Sequence, residues 1–470
     1  MPINKKILIA FFLLSIFFAA FLPVKDTDFG WHYRCGKEIW HNPKICLTNN
    51  FSYFLENYQS YNPHFFYDIL LAFIFDHFGF LGLVVLNGLI FVLAAFFWLK
   101  ISQGNLLIKI FSFYLIFFLS SATFSLGLRS QIFTYLFFLI LLFLIKQEEE
   151  KSHLIFFTPF LMLIWVNTHI GFFVGLFVLG FFLIDKLLPK NLFLITTLSL
   201  MGTFFNPFSF KVYLEIFNHF TSPLNKMIAE WTAPTSIEIV FCSLLTVIAF
   251  FLILKNWQKR IFFFFLLFFF FLLSAKAKRN LPFFYTSFFL IVVQNIKINQ
   301  SLNLVLEKIA FPFLVSATLF FLIINLPQTI AFHKNWGLYC NQGLTRYPCQ
   351  AIKKYPNLLG NVFSMYEWGG FLIWQKPKIK VFVDGRMPAW KDNQGKSPYQ
   401  VFLEIIQTKD NWNQRLKALK TDYLLITNGS FLDLLLQKEA KKYGWKEEYR
   451  DDLAVIYKNV ENSSLNMLKY

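Results

Sequence analysis

The sequence has few charged residues and lacks the short motifs that mark many soluble enzymes. Only 15% of its 470 residues are charged, whereas about a quarter is usual in a soluble domain. It contains no Walker loop, no dinucleotide-binding fingerprint, no nucleophile elbow and no Cys or His spacing typical of a zinc site. No internal repeat is evident, whereas transporters usually have one. The sequence therefore gives no support to a soluble enzyme of these common kinds.

Apolar residues dominate instead: 56% of the chain is hydrophobic, and 66 residues are Phe. A spanning helix needs about 20 apolar residues, and fewer where neighbours bury it, so the recurrent apolar runs predict a polytopic membrane protein. Eleven spanning helices are predicted, near residues 6–24, 80–99, 105–122, 130–146, 153–167, 170–187, 191–205, 237–254, 261–275, 281–296 and 309–326.

The net charge of +17 comes mostly from the connections between these helices. Basic residues fall on alternate connections, at 5–6, 100–109, 146–151, 186–190, 255–260 and 297–308. The positive-inside rule assigns these connections to the cytoplasm, and no nucleic-acid motif offers another reason for the charge. We therefore expect a plasma-membrane protein with an uncleaved N-terminal anchor, its N-terminus inside and its C-terminal region outside.

The first outer loop, residues 25–79, contains a helical pattern of its own. Apolar residues recur at helical spacing over 62–78, with His64, Asp68 and His77 among them. This pattern predicts an amphipathic helix that lies on the outer membrane interface. A short spanning helix is the alternative, and it would invert the topology of everything after it.

The outer connections bring many polar side chains to one face of the membrane. Ionisable groups at that depth are costly, so a functional site is their default interpretation. They are Asp26, Asp28, His32, Arg34, His64, Asp68, Arg129, Gln131, Asn167, His169, Asn206, Glu230, Lys276, Lys278, Arg279 and Asn280. The basic segment 276–279 breaks the positive-inside rule, which indicates a bound anion such as phosphate; if the helix count is wrong by one, the segment lies inside instead.

Residues 328–470 have a soluble composition and alternate between two kinds of pattern. Strands are predicted at 362–365, 380–384, 423–427 and 453–457, and helices at 348–354, 399–408, 413–420 and 432–443. The alternation predicts a small extracytoplasmic α/β domain. The segments 368–370 and 384–386 (W-G-G and D-G-R) lie at strand ends, where ligand sites occur, but ordinary turns are the favoured interpretation.

Five Cys and eight His are present. If the outer compartment is oxidising, Cys35 with Cys46 and Cys340 with Cys349 would form two short-loop disulfides; four free thiols are the equal alternative. The spacing of the outer His residues matches no metal-ligand pattern.

Several segments resemble, in order, a large group of bacterial proteins similar to the GT-C glycosyltransferases. DTDFGWHYRCGKEIW at 26–40 resembles the D-x-D-F-W-W-H-L-x-x-G-x-x-I opening of that group. The other matching segments are LRSQIFTY at 128–135, WVNTHIGFFVG at 165–175, NPFSFKVY at 206–213, IAEWTAP at 228–234, KRNLPFF at 278–284, YEWGGFLIW at 366–374 and VFVDGRMPAW at 381–390. The pattern is broken at Gly30, Ser130 and Ile170, which replace Trp, Pro and Gly, and HFFYD at 64–68 follows the usual H-E-W-L only loosely.

The resemblance implies an all-α, GT-C-like membrane domain over 1–327 with about 11 helices, followed by an α/β domain over 328–470. It also implies an inverting transfer of a sugar from a polyprenyl-phosphate donor to a protein, lipid or glycan acceptor at the lipid bilayer. Asp28, or else Asp26, would be the catalytic base, and Arg279, Lys278 and Arg129 would bind the donor phosphate. Substrate contacts are expected from His32, Arg34, Asn167, His169, Glu230 and Asn280.

Whether a divalent cation takes part stays open. Three other functions remain as alternatives to sugar transfer. They are an envelope-glycan polymerase or ligase, a transporter of lipid-linked glycans, and a non-catalytic GT-C-like scaffold.

Overall fold

The computed structural model describes residues 4–41, 45–61, 64–150, 152–222, 231–254, 261–334, 336–342 and 345–460. It is mostly helical and ends in a sheet-containing domain, as the sequence predicts. The helices of the first part are α1 (Lys5–Ala19), α2 (Phe29–His41), α3 (Phe65–Ile101), α4 (Leu106–Leu119), α5 (Ser121–Phe124), α6 (Ser130–Glu149), α7 (Thr158–Val166), α8 (Phe172–Asp185), α9 (Lys190–Gly202), α10 (Lys211–Thr221), α11 (Ser236–Leu254), α12 (Ile261–Lys276), α13 (Leu281–Asn295) and α14 (Gln300–Lys334). The C-terminal part adds α15 (Trp336–Cys340), β1 (Asn341–Gln342), β2 (Thr345–Arg346), α16 (Cys349–Lys354), β3 (Gly360–Ser364), α17 (Gly369–Gln375), β4 (Ile379–Val381), α18 (Pro398–Ile406), α19 (Trp412–Ala418), β5 (Tyr423–Thr427), α20 (Phe431–Tyr443), β6 (Trp445–Arg450) and β7 (Ala454–Asn459).

Four of the described helices, α3, α6, α11 and α14, are long and apolar enough to cross a membrane. Shorter apolar helices accompany them, including α4, α8 and α12. Most of α11 and α14 is exposed on the outside of the bundle, as expected of surfaces that face lipid. The protein is therefore a membrane protein by its apolar helices, while the count of eleven spans stays a prediction.

Helix α3 combines two predicted elements. Gly79 has a left-handed φ of 59°, which kinks the helix between the predicted interfacial segment at 62–78 and the predicted span at 80–99. Residues 62–63 lie outside the described part of the chain.

Several helix boundaries differ from the prediction. The helix expected over 6–24 ends at Ala19, four residues before Pro23, since proline disfavours the helical conformation of the residue before it. The helix expected from 153 begins as a 3₁₀ turn over His153–Phe157, and α7 then starts at Thr158 with Pro159 in its first turn. Helix α14 continues through Pro327, the last residue of the predicted membrane domain.

The C-terminal sheet has the strand order β4-β3-β5-β7-β6. Strand β3 runs parallel to β4 and β5, whereas β7 is antiparallel to β5 and β6. The four predicted strands correspond to β3, β4, β5 and β7. Strand β6 and the small antiparallel β1–β2 pair were not predicted.

The sheet separates two apolar cores because successive residues of a strand point to opposite faces. Val362, Leu425 and Ile456 belong to the large core that continues into the membrane helices. Phe363 and Leu424, one position along, pack with α18 and α20 in a second core. The helical part and the C-terminal domain therefore share one continuous apolar interior.

The first loop also contacts this sheet. Ser52 forms an isolated parallel bridge with Val381, and the Tyr53 amide donates to the Val381 carbonyl at 3.1 Å. Both cysteine pairs are disulfides, Cys35–Cys46 in the first loop and Cys340–Cys349 before β3, which decides between the two open alternatives.

Candidate active site

The first loop turns into α2 through a compact segment at Asp26–Asp28. The Asp28 amide donates to Asp26 Oδ1 at 3.2 Å, and the Phe29 amide donates to the Asp26 carbonyl at 3.3 Å. The Asp26 side chain thus holds the turn that starts α2. Asp28 is partly exposed at the helix N-terminus, where a carboxylate is favoured.

Asp26 forms a buried ion pair with Arg129, at 3.3 Å between Oδ2 and Nε. The Lys25 amide donates to the Leu126 carbonyl, and Gly127 has a left-handed φ of 77°. A side chain on Gly127 would meet the Pro23 carbonyl, so glycine allows this loop to approach the start of the first loop. The loop before α6 thereby carries Arg129 to Asp26.

His32, one turn into α2, pairs with Asp68 on α3. His32 Nδ1 lies 2.5 Å from Asp68 Oδ1, and both side chains are buried. The helices approach closely here because Gly36 leaves no Cβ to meet the Asp68 carbonyl. Burial lowers the pKa of His32 well below its usual range, so the imidazole is neutral. Sequence comparison left the role of Asp68 uncertain, and its partner is now evident.

Two further histidines continue from His32 into the interior. The rings of His32 and His64 are 4.8 Å apart, and those of His64 and His169 are 5.6 Å apart. Burial lowers the pKa of His64 to about 4. Burial, then the neighbouring charges of His64, Arg279 and Arg129, lower the pKa of His169 well below its usual range. The three imidazoles therefore form a row of neutral, buried polar groups.

His169 is further fixed by Thr134 on α6, whose Oγ1 lies 2.8 Å from His169 Nδ1. The described residues contain no group of three or more His, Cys, Asp or Glu side chains that could hold a metal ion.

The three predicted site residues at 278–280 contact different neighbours. Lys278 pairs with Glu238 at 2.9 Å, and the Asn280 side-chain amide donates to the Leu273 carbonyl at 3.0 Å. The Arg279 guanidinium stacks on Trp231 at 4.3 Å, and it is close enough to lower the pKa of His169. Of these three residues, Arg279 is therefore the one whose charge reaches the row of histidines.

Two other predicted substrate contacts have structural partners. Arg34 forms an ion pair with Glu38 along α2. Asn167 is buried, and its side-chain amide donates to the carbonyls of Leu163 and Phe205 at 2.9 and 2.8 Å. Glu230 lies outside the described residues.

The C-terminal domain closes over the start of α2 through glycine contacts. A Cβ on Gly385 would overlap Asp28 Oδ1, and a Cβ on Gly370 would overlap the Thr27 carbonyl. A Cβ on Gly30 would in turn overlap the Gly370 carbonyl. Gly30 therefore lets α17 lie directly on α2. The segment 384–386 thus lies against Asp28, and the segment 368–370 lies against the Thr27 carbonyl.

Arg386 is the residue that sequence analysis missed. Its Nε and Nη2 donate to the two oxygens of the buried Asp384 at 2.8 and 2.7 Å. Nη2 also donates to Asn49 Oδ1 of the first loop at 3.1 Å. The guanidinium lies over the rings of Trp31 and Trp390, at 5.9 and 5.3 Å. The D-G-R segment was the available signal, since such a rigid Asp–Arg fork suits a binding site.

The fold is similar to that of an archaeal oligosaccharyltransferase from Archaeoglobus fulgidus in two solved structures. One is tethered by a disulfide to an acceptor peptide containing the NVT sequon, with a TM-score of 0.58 and 11% identity. The other, AglB in complex with an inhibitory peptide and a dolichol-phosphate, has a TM-score of 0.55 and 10% identity. Each comparison covers 97% of this chain and 74% of the archaeal chain. No protein-family profile and no curated protein matches the sequence. At this identity the likeness shows a shared fold.

Proposed function

We propose that this GT-C-fold membrane protein is a glycosyltransferase that moves a sugar from a polyprenyl-phosphate donor to an acceptor hydroxyl. The observation that carries the proposal is the partly exposed Asp28 carboxylate at the start of α2, which lies against Gly385 of the C-terminal domain. The shared fold supports it, since the archaeal enzyme is an oligosaccharyltransferase studied with a dolichol-phosphate.

Asp28 is the better candidate for the catalytic base than Asp26. Asp26 is buried in an ion pair with Arg129 and also holds the turn before α2. The negative charge of Asp26 therefore stabilises the fold through its pair with Arg129. Asp28 is partly exposed, so an acceptor hydroxyl can approach its carboxylate within hydrogen-bond distance.

Arg129 and Arg279 are the favoured contacts for the donor phosphate. Both arginines lower the pKa of His169, so both lie near the same buried imidazole. Guanidinium groups bind phosphate oxygens in pairs and stabilise the charge that builds on the leaving group. Lys278 is the weaker candidate because its ammonium group is paired with Glu238.

In the proposed reaction the acceptor oxygen attacks C1 of the donor sugar from the face opposite the phosphate. The acceptor O–H proton passes to Asp28 as the new C1–O bond forms. The C1–O bond to the phosphate breaks, and its electron pair leaves with the polyprenyl phosphate, whose extra negative charge the arginines stabilise. The configuration at C1 is therefore inverted.

His32 and His169 have positioning roles in this scheme. Neutral imidazoles can donate or accept hydrogen bonds to sugar hydroxyls without adding charge to the site. The paired Asp68 fixes the His32 ring, and Thr134 fixes the His169 ring. We further propose that the site opens to the extracytoplasmic side of the plasma membrane.

The test is sugar transfer in membranes that contain the full chain. Radiolabelled glucose, mannose and galactose donors on polyprenyl phosphate are supplied separately, and donor consumption is followed for wild type, Asp28→Asn and Asp410→Asn. Asp410 is an exposed carboxylate between α18 and α19, so its variant controls for the loss of one charge.

We expect the wild type and Asp410→Asn to consume at least one donor, and Asp28→Asn to consume none. Equal consumption in all three proteins would remove Asp28 as the base. If the wild type consumes none of the donors, the proposal of hexose transfer from polyprenyl phosphate fails.

A further inference from the structure

A cleft between the first loop and the C-terminal domain has no part in the chemistry proposed above. Trp31 and Asp68 form its membrane side, Arg386 and Trp390 form its C-terminal side, and residues 46–49 complete the wall. The cleft holds about 410 Å³ of space, its open mouth included.

The walls of this cleft carry hydrogen-bond donors that the protein leaves unused. The side chains of Trp31 and Trp390 are buried, yet neither indole N–H has a hydrogen-bond partner among the described residues. Arg386 uses Nε and Nη2 for Asp384 and Asn49. Buried donors without partners are costly and uncommon, so they point to a missing acceptor.

The same walls offer an acceptor. Asp68 bonds to His32 through Oδ1, and its second oxygen remains able to accept. The rings of Trp31 and Trp390 already contact the protein, since His32 stacks on Trp31, Tyr58 stacks on Trp390 and the Arg386 guanidinium lies over both rings. A ligand for this cleft must therefore both donate and accept hydrogen bonds.

We propose that the cleft binds a pyranose ring of a saccharide acceptor. Sugar hydroxyls both donate and accept hydrogen bonds, which suits the indole N–H groups, Arg386 and Asp68 together. A fully ionised inorganic anion fits less well, because it would donate no hydrogen bond to Asp68.

The cleft also lies beside the proposed base. Trp31 is three residues after Asp28, which places it one turn further along α2. On the other side, Gly385 contacts Asp28 and directly precedes Arg386. A saccharide held by Trp31 and Arg386 is thus next to the Asp28 carboxylate. Its assignment as the acceptor rests on the proposed function, whereas its binding does not.

The test measures saccharide binding to the full chain in detergent by saturation-transfer NMR. The probes are the methyl pyranosides of glucose, galactose and mannose, together with N-acetylglucosamine. We expect the wild type to bind at least one probe, and Trp390→Phe to weaken that binding about tenfold through the lost indole N–H. Trp40→Phe is the matched control, since Trp40 is 74% exposed on α2 and outside the cleft.

Trp31→Phe is the second cleft variant, and thermal unfolding of each variant checks that it folds. Binding of no probe by the wild type would overturn the inference, and so would equal binding by wild type and both cleft variants. Donor consumption is measured on the same preparations. Saccharide binding without donor consumption contradicts the transferase proposal alone, and donor consumption without saccharide binding contradicts this inference alone.

Discussion

The carboxylate of Asp28 lies against the backbone of Gly385, although the two residues belong to opposite ends of the chain. A Cβ at position 385 would overlap Asp28 Oδ1, so a larger residue there would force the Asp28 side chain to move. The soluble domain therefore sets how the first-loop carboxylate is held. This contact ties the position of the proposed base to the D-G-R segment.

Gly385→Ala should displace Asp28 and lower sugar transfer about 100-fold, the loss that a misplacement of about 1 Å can cause. Donor consumption in membranes measures the effect. Gly180→Ala is the control, since nothing lies within 4 Å of a Cβ at that position in α8. Full activity of Gly385→Ala would show that Asp28 does not need this contact.

A comparison of Asp26→Asn with Asp28→Asn should distinguish a structural role of Asp26 from a catalytic role of Asp28. Removing one partner of the Asp26–Arg129 pair should destabilise the protein by about 3 kcal/mol, because the largely buried Arg129 loses a charged partner. Asp28 is partly exposed, so Asp28→Asn should change stability by less than about 1 kcal/mol while it abolishes transfer. Chemical unfolding in detergent and donor consumption check the two effects. The idea fails if the variants lose stability equally.

Stability should fall in acid because of the buried histidines. The folded pKa of His64, about 4, lies below the unfolded value near 6.5, so the unfolded chain takes up the proton first as the pH falls. As the pH falls from about 6.5 to about 4, protonation of His64 in the unfolded chain should lower the free energy of unfolding by about 1.4 kcal/mol per pH unit. Above about pH 6.5 this loss should be absent.

Unfolding free energies across that pH range provide the measurement for wild type, His64→Gln and His77→Gln. His64→Gln should flatten the profile. His77 is exposed on α3, so His77→Gln controls for the loss of one imidazole. An unchanged slope in His64→Gln would contradict the lowered pKa of His64.

Only one of the five cysteines should react with a thiol reagent when the protein is denatured without reductant. That cysteine is Cys242, since the other four form two disulfides. Opening Cys340–Cys349 by a double Ser substitution should cost about 3 kcal/mol, as expected for a short closed loop. Mass spectrometry counts the labelled thiols, and three or five labels would contradict the pairing.

The predicted orientation can be tested with single added cysteines. Lys438→Cys on α20 should react with a membrane-impermeant thiol reagent in intact cells, because the C-terminal domain is predicted to lie outside. Lys190→Cys at the start of α9 should react only after permeabilisation. Both positions are exposed, so access to the side chain does not limit labelling. The reverse pattern would invert the topology.

Much of the architecture was predictable because local patterns determine it. Strand β5 falls at the predicted residues 423–427, since a buried central strand is a continuous apolar run. Strand β6 was not predicted because it is an edge strand with the charged sequence W-K-E-E-Y-R. Its charged residues disfavour pairing with another chain, but they also conceal the alternating pattern of a strand. Helix α17 was missed because it begins with Gly369 and Gly370, which are typical of a turn.

The site was predictable only in part, because its contacts join distant segments. The sequence identified Asp26, Asp28 and Arg129, but it could not pair Asp26 with Arg129, about 100 residues away. For the same reason the sequence could not show that His32 pairs with Asp68 or that Arg386 lies near the first loop. Both arrangements depend on close backbone contacts at glycines, which a local sequence pattern does not reveal.

The contact between Gly30 and Gly370 has a consequence for biosynthesis. The residues around Asp28 emerge from the ribosome early, whereas Arg386 follows about 360 residues later. At about 5–20 residues per second the nascent chain spends roughly 20–70 s in the membrane with α2 uncovered. A chain released before residue 386 would thus carry the first-loop carboxylates without the surface that encloses them.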